Sequence, residues 1–157
     1  MILVAGLGNE LFADDAFGVE VARRLRERAL PDDVVVREVG IRGMDLAFAI
    51  MDGFDAVVIV DAIARGYPPG TLVVLDPERP EAAPLRDSHG LDPVRMLAMA
   101  EAAGGCRPTL RIVGCEPERL VDEDTALAHG LSATVAAAIP AAVDLVLTTI
   151  EGLRAHA

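Results

Sequence analysis

Hydrophobic positions along the chain alternate between short continuous runs, as in buried strands, and longer segments repeating every three to four residues, as in helices. Ile2 to Ala5 is an apolar run ending in Gly6. After a loop, a helix is predicted from about Asp15 to Arg28, with Phe17, Val21 and Leu25 on one stripe. Val34 to Val39 reads as a second strand and Met44 to Met51 as a short helix. The run AVVIVDA, Ala56 to Ala62, has the unbroken apolar character of a strand covered on both faces. Beyond the turn residues GYPPG, strands are expected at Thr71 to Leu75 and Leu110 to Val113, with a helix at Asp92 to Ala103 between them. A long helix from about Ser132 closes the chain.

Strands alternating with helices predict an α/β fold, an open, mostly parallel, twisted five-stranded sheet with helices on both faces. The Pro-Pro-Gly connection is too short for a helical crossover, so one antiparallel strand is expected. A length of 157 residues with 52% hydrophobic content suits a single domain over residues 1–157.

Composition narrows the chemistry. All fourteen basic residues are Arg, so Schiff-base chemistry and a phosphate-loop lysine are excluded. A net charge of −11 repels phosphate backbones and anionic lipid, arguing against nucleic-acid and membrane partners. Leu131 to Ile150 approaches spanning length, but Pro140 and Asp144 interrupt it. Val135, Ile139, Val143, Leu147 and Ile150 recur as they would on a docked helix. The opening MILVAG lacks a basic segment and cleavage site, so a cytoplasmic location is expected. Neither Ser88 nor Ser132 lies in a nucleophile elbow. Cys106 and Cys115 are too widely spaced for a C-x-x-C motif and read as small buried thiols.

Three residues stand out. In GLGNELFADD, Gly6 and Gly8 match the start of a dinucleotide fingerprint, but Leu11 replaces its third glycine and the helix begins late. One member of the pair Asp14 and Asp15 is explained as a helix cap; the second, Asp15, is either a further cap or a ligand at the mouth of the sheet. Asp61 ends an apolar strand, where a carboxylate is costly unless it caps the next turn or binds something. In a doubly wound sheet the first and third strands are neighbours, and ligands sit beyond their carboxyl ends. His89 lies in the polar loop DSHGLDP, whereas His129 and His156 fall before the last helix and in the terminus. Two carboxylates and an imidazole form a competent set for a divalent transition metal such as nickel or zinc, with positions left open.

The segments GLGNELFADDAFG, VDA, PPGTLVVLDP, DSHGLDP, LRIVGCEPE and GLSATVAAAI, in this order, resemble the hydrogenase maturation endopeptidases over nearly the whole chain. The resemblance implies an endopeptidase that removes a C-terminal extension from the large-subunit precursor of a nickel hydrogenase. It implies that Asp15, Asp61 and His89 are the catalytic and metal-reading residues, and that no conventional nucleophile takes part. The metal would be nickel carried by the substrate, with another divalent ion able to substitute in isolation. Two positions depart from the family's pattern: Ala16 replaces a common glycine, although Gly18 is kept, and VGIRG, Val39 to Gly43, replaces a Gly-Gly-Thr or Gly-Gly-Ser motif. A metal-sensing adaptor that does not cut, and a nucleotide-binding oxidoreductase, are the alternatives.

Overall fold

A computed structural model describes residues 1–40, 52–77, 108–119 and 130–155. Five strands form one sheet: β1 (Ile2–Leu7), β2 (Val34–Gly40), β3 (Ala56–Ala62), β4 (Leu72–Leu75) and β5 (Thr109–Cys115), in the spatial order β2-β1-β3-β5-β4. β1 runs parallel to both β2 and β3, and β3 runs parallel to β5. The chain therefore winds outward from β1 in two directions, which places the winding switch between β1 and β3.

The antiparallel strand is present, although its partner is the strand that follows it, not the one before. β4 pairs with β5, Leu72 opposite Cys115 and Leu75 opposite Ile112, and β5 is inserted between β3 and β4. Chain order alone would make β3 and β4 a hairpin. The half-buried residues of β4 instead form the edge of the sheet, while β3, apolar throughout its first five residues, takes the centre.

Helices α1 (Phe17–Arg26) and α2 (Ala133–Ala155) lie on one face. Phe17, Val21 and Leu25 of α1 and Val135, Ile139, Val143 and Val146 of α2 pack there over Val4, Val58 and Val60. The opposite face holds a second apolar cluster, including Leu3, Ala5, Val57, Ile59, Leu110 and Ile112, all essentially buried. The helices expected at Met44 to Met51 and Asp92 to Ala103 lie outside the described residues.

The helix expected from about Asp15 to Arg28 is divided. A 3-10 turn occupies Ala13–Ala16, and the α-helix starts only at Phe17 and ends at Arg26. α2 is apolar enough to cross a membrane by length and composition, with a mean hydropathy of 1.8. It docks through the stripe given above, with Pro140 and Asp144 exposed on its outer side.

Candidate functional site

The segment after β1 is shaped by close approaches. Gly8 has φ +125, and a Cβ there would collide with the carbonyl oxygen of Asp15. Gly6 and Gly18 face one another where α1 crosses the sheet. A Cβ on Gly18 would strike the carbonyl oxygens of Val60 and Leu7, and one on Gly6 would strike the Gly18 carbonyl. These glycines let the start of α1 sit against the carboxyl ends of β1 and β3. Between them, Asn9 organises the loop: its side-chain oxygen accepts from Leu11 N at 3.0 Å, and its carbonyl accepts from Phe12 N at 3.1 Å.

The two aspartates of the 3-10 turn have separate duties. Asp15 is 4% exposed, and its Oδ2 accepts the N–H of Asn9 at 2.6 Å, so the carboxylate closes the loop on which it stands. Asp14, fully buried, caps neither the turn nor α1. Its carboxylate accepts three distant backbone N–H groups: Ser132 at 2.6 Å, Arg119 at 2.8 Å and Glu118 at 2.9 Å. The cap expected of one carboxylate is thus delivered to the approach of another helix. Ser132 in turn accepts the Val135 N–H on its hydroxyl at 3.3 Å and the Ala136 N–H on its carbonyl at 2.8 Å, fixing the first turn of α2.

Asp61 sits at the same edge of the sheet. Val60, just before it, is level with Gly6 of β1, Asp61 is opposite Gly114 of β5, and the 3-10 turn packs against β3. Asp61 is half-buried, and its Oδ1 accepts the next residue's N–H at 2.8 Å. In the turn that follows, the N–H groups of Arg65 and Gly66 go to Glu116, at 2.8 and 3.0 Å. The structure therefore brings Asp15 and Asp61 to one edge, at the winding switch. His89 lies outside the described residues, as do His129 and His156. Among the described residues, no three His, Cys, Asp or Glu side chains gather as a metal cage.

This geometry is a poor phosphate cradle. Carboxylates stand where a dinucleotide fold would seat its pyrophosphate, and Asp15 already takes the Asn9 N–H, so phosphate would meet like charge.

The family model for hydrogenase maturation proteases matches residues 19–149. The chain belongs to the hydrogenase maturation protease family. It is 34% identical to the hydrogenase 2 maturation protease of Escherichia coli, over 96% of this chain and 90% of that protein. It is 32% identical to the hydrogenase expression/formation protein HupD of Rhodobacter capsulatus, over 90% of this chain and 69% of that one. Among solved structures it resembles the hydrogenase maturating endopeptidase HybD from Escherichia coli, with a TM-score of 0.79, 31% identity, and coverage of 96% and 92% of the two chains. The NiFe hydrogenase maturation protease HycI from Thermococcus kodakarensis matches with a TM-score of 0.74 and 28% identity, covering 92% of this chain and 88% of that one.

One structural carboxylate beside the site edge of this maturation-protease chain escapes the sequence argument. Glu116, 7% exposed, holds the Arg65–Gly66 turn by its side chain and Gly70 by its carbonyl, at 2.8 Å. The signal that singles out Asp61, an acidic residue ending an apolar strand, is repeated in LRIVGCE. The adjacent Cys115 is buried as expected. Burial first, then the nearby Asp14 and Glu116 charges, push its thiol up from 9.0 to about 11, so it stays protonated at neutral pH and is no nucleophile.

Proposed function

We propose that this chain is an endopeptidase that removes the C-terminal extension of a nickel-loaded hydrogenase large-subunit precursor. Family membership supports the protease activity and the kind of substrate. The observation that supports the site assignment is the placement of Asp15, on the turn packed against β3, and of Asp61, at the end of β3, at the carboxyl edge of β1 and β3. Asp61 terminates a buried strand, and the Arg65 and Gly66 N–H groups of the turn beside it are held by Glu116.

In the proposed mechanism the precursor brings its nickel, and Asp15, Asp61 and His89 complete the ion's coordination. Binding then places the scissile peptide beside the site, and much of the acceleration comes from that positioning. Two carboxylates and a neutral imidazole suit a borderline divalent ion and leave positions for substrate atoms. Water is the attacking group, consistent with a protonated Cys115 and with a Ser132 hydroxyl engaged at the start of α2. The protein works in the cytoplasm as one domain over residues 1–157, with the precursor as partner and no nucleic acid or membrane; its negative charge favours that choice.

Mixing the purified chain with nickel-loaded precursor and weighing the product by mass spectrometry tests the proposal. The precursor should lose its tail, and Asp61→Asn, nearly isosteric but without the charge, should abolish the loss while keeping the wild-type Tm. Tight binding with no change in mass would replace the peptidase with a non-cutting adaptor. Full cleavage by folded Asp61→Asn would remove Asp61 from the site.

A further inference from the structure

The loop from Ile63 to Thr71 leaves the carboxyl end of β3 directly after the site edge and is tied at both ends to Cys115 and Glu116. Ile63 N donates to the Cys115 carbonyl at 2.8 Å, Gly70 N donates to the Glu116 carbonyl at 2.8 Å, and Glu116 N donates to the Thr71 carbonyl at 2.9 Å. The Glu116 carboxylate takes the N–H groups of Arg65 and Gly66 in mid-loop. Farther along, the Thr71 hydroxyl and N–H both donate to the Pro68 carbonyl, at 2.6 and 3.1 Å. This backbone is set before any substrate arrives.

On this fixed loop, Arg65 has a donor without an acceptor among the described residues. Its Nη1 is shielded from solvent, and no oxygen of the described residues accepts from it. Arg23, Arg24, Arg26, Arg37, Arg111 and Arg154 each pair with a carboxylate. A shielded guanidinium N–H is costly to leave unmatched, so a rigid loop that holds one is suited to an incoming oxygen.

We propose that Arg65 is a specificity-determining residue for the precursor, its guanidinium donating to a carbonyl or carboxylate oxygen of the bound C-terminal segment. The inference rests on the peptidase function proposed above. Its physical content is preorganisation. The Glu116 clamp fixes the Arg65 backbone four residues after Asp61, so an oxygen held by the guanidinium sets the register of the substrate chain relative to the carboxylate edge. Guanidinium suits this task because its N–H groups form a rigid planar fork, whereas a lysine would offer only a point charge.

The test uses the full chain and nickel-loaded precursor. Initial cleavage rates over a range of precursor concentrations, and precursor binding by titration, are measured for wild type, Arg65→Lys and Arg65→Ala. Loss of one charge-assisted hydrogen bond predicts a roughly 10- to 100-fold fall in kcat/KM for Arg65→Ala at unchanged Tm, with Arg65→Lys in between. Millimolar methylguanidinium should restore part of the Arg65→Ala rate without accelerating wild type. Precursors with tail Asp and Glu changed to Asn and Gln identify the oxygen: a carboxylate partner removes the difference between wild type and Arg65→Ala, and a carbonyl partner preserves it. Wild-type kcat/KM and affinity in folded Arg65→Ala would overturn the inference. So would a loss that follows a lowered Tm and is not rescued by methylguanidinium, since the side chain would then be structural. If wild type binds the precursor but does not cut it, the peptidase proposal fails and the binding measurement still decides on Arg65.

Discussion

The Asp14 carboxylate accepts the backbone N–H of Ser132 at 2.6 Å, fastening the 3-10 turn after β1 to the approach of the last helix. The same carboxylate takes Glu118 N and Arg119 N, so three chain segments meet on one buried side chain. Asp15, the next residue, inherits its position from this junction.

Asp14→Asn is therefore expected to be damaging, although Asn is a good helix cap in isolation. The amide has one acceptor oxygen where the carboxylate has two, and its NH2 group would face a backbone N–H. A loss of roughly 2 to 4 kcal/mol follows from the broken charge-assisted bonds. Thermal unfolding should show a Tm lower by roughly 5 to 15 °C for a chain of this size. A Tm within 2 °C of wild type, roughly the experimental margin, would mean that the junction is held by something other than Asp14.

That junction also marks the limit of what the sequence reveals. β3 is legible to the residue, Ala56 to Ala62, because a central parallel strand must be apolar on both faces. The stripe of α2 is legible because helical period and burial agree at Val135, Ile139, Val143 and Ile150. Asp61 is legible as a charge in an apolar context. The roles of Asp14 and Glu116 are not, because their partners lie 104 to 118 and about 50 residues away, and no local periodicity encodes such pairings. The late start of α1 is hidden for a similar reason: Ala13 adopts φ +43, a conformation that its small side chain does not advertise and that the buried turn imposes. The partner of β4 depends on β5, more than thirty residues farther on.

The crossing of α1 over the sheet gives a second test. Gly18→Ala puts a methyl group into the carbonyl oxygens of Val60 and Leu7, which are backbone atoms and cannot rotate away. Helix propensity favours Ala, but overpacking should dominate, destabilising by about 1 to 3 kcal/mol and lifting the turn that carries Asp15. Gly152→Ala in α2, where a Cβ meets nothing within 4 Å, should instead stabilise by up to about 1 kcal/mol. Denaturant midpoints of the two variants should therefore move in opposite directions; a shared direction would refute the close-crossing argument.

Cys115 links stability to alkaline pH. Its folded thiol holds its proton up to about 11, whereas an unperturbed thiol releases it near 9.0. The unfolded chain thus binds fewer protons than the folded one between these values, and stability falls as pH rises. The contribution is fully present below 9.0 and lost as pH passes through about 11. Cys115→Ala should lose less stability than wild type between pH 9.0 and 11 in urea titrations. Parallel curves for the two proteins would show that the thiol is not perturbed as its surroundings imply.

The final prediction concerns the source of the metal. Asp15 and Asp61 share one sheet edge, but among the described residues no third His, Cys, Asp or Glu joins them to close a cage. If nickel arrives on the precursor, the isolated chain should bind divalent ions weakly, because three hard or borderline ligands without thiolate leave much of the coordination sphere to others. Chelator-treated protein should then cleave nickel-loaded precursor at the untreated rate and leave metal-free precursor intact. Adding nickel to the enzyme alone, then removing the excess, should not rescue the metal-free substrate. Mass spectrometry separates the outcomes, since only a cut precursor loses the mass of its tail. Equal cleavage of loaded and metal-free precursor would defeat the idea that these carboxylates read a substrate-borne ion. Cleavage that follows metal bound to the enzyme would make Asp15 and Asp61 ligands of a resident ion.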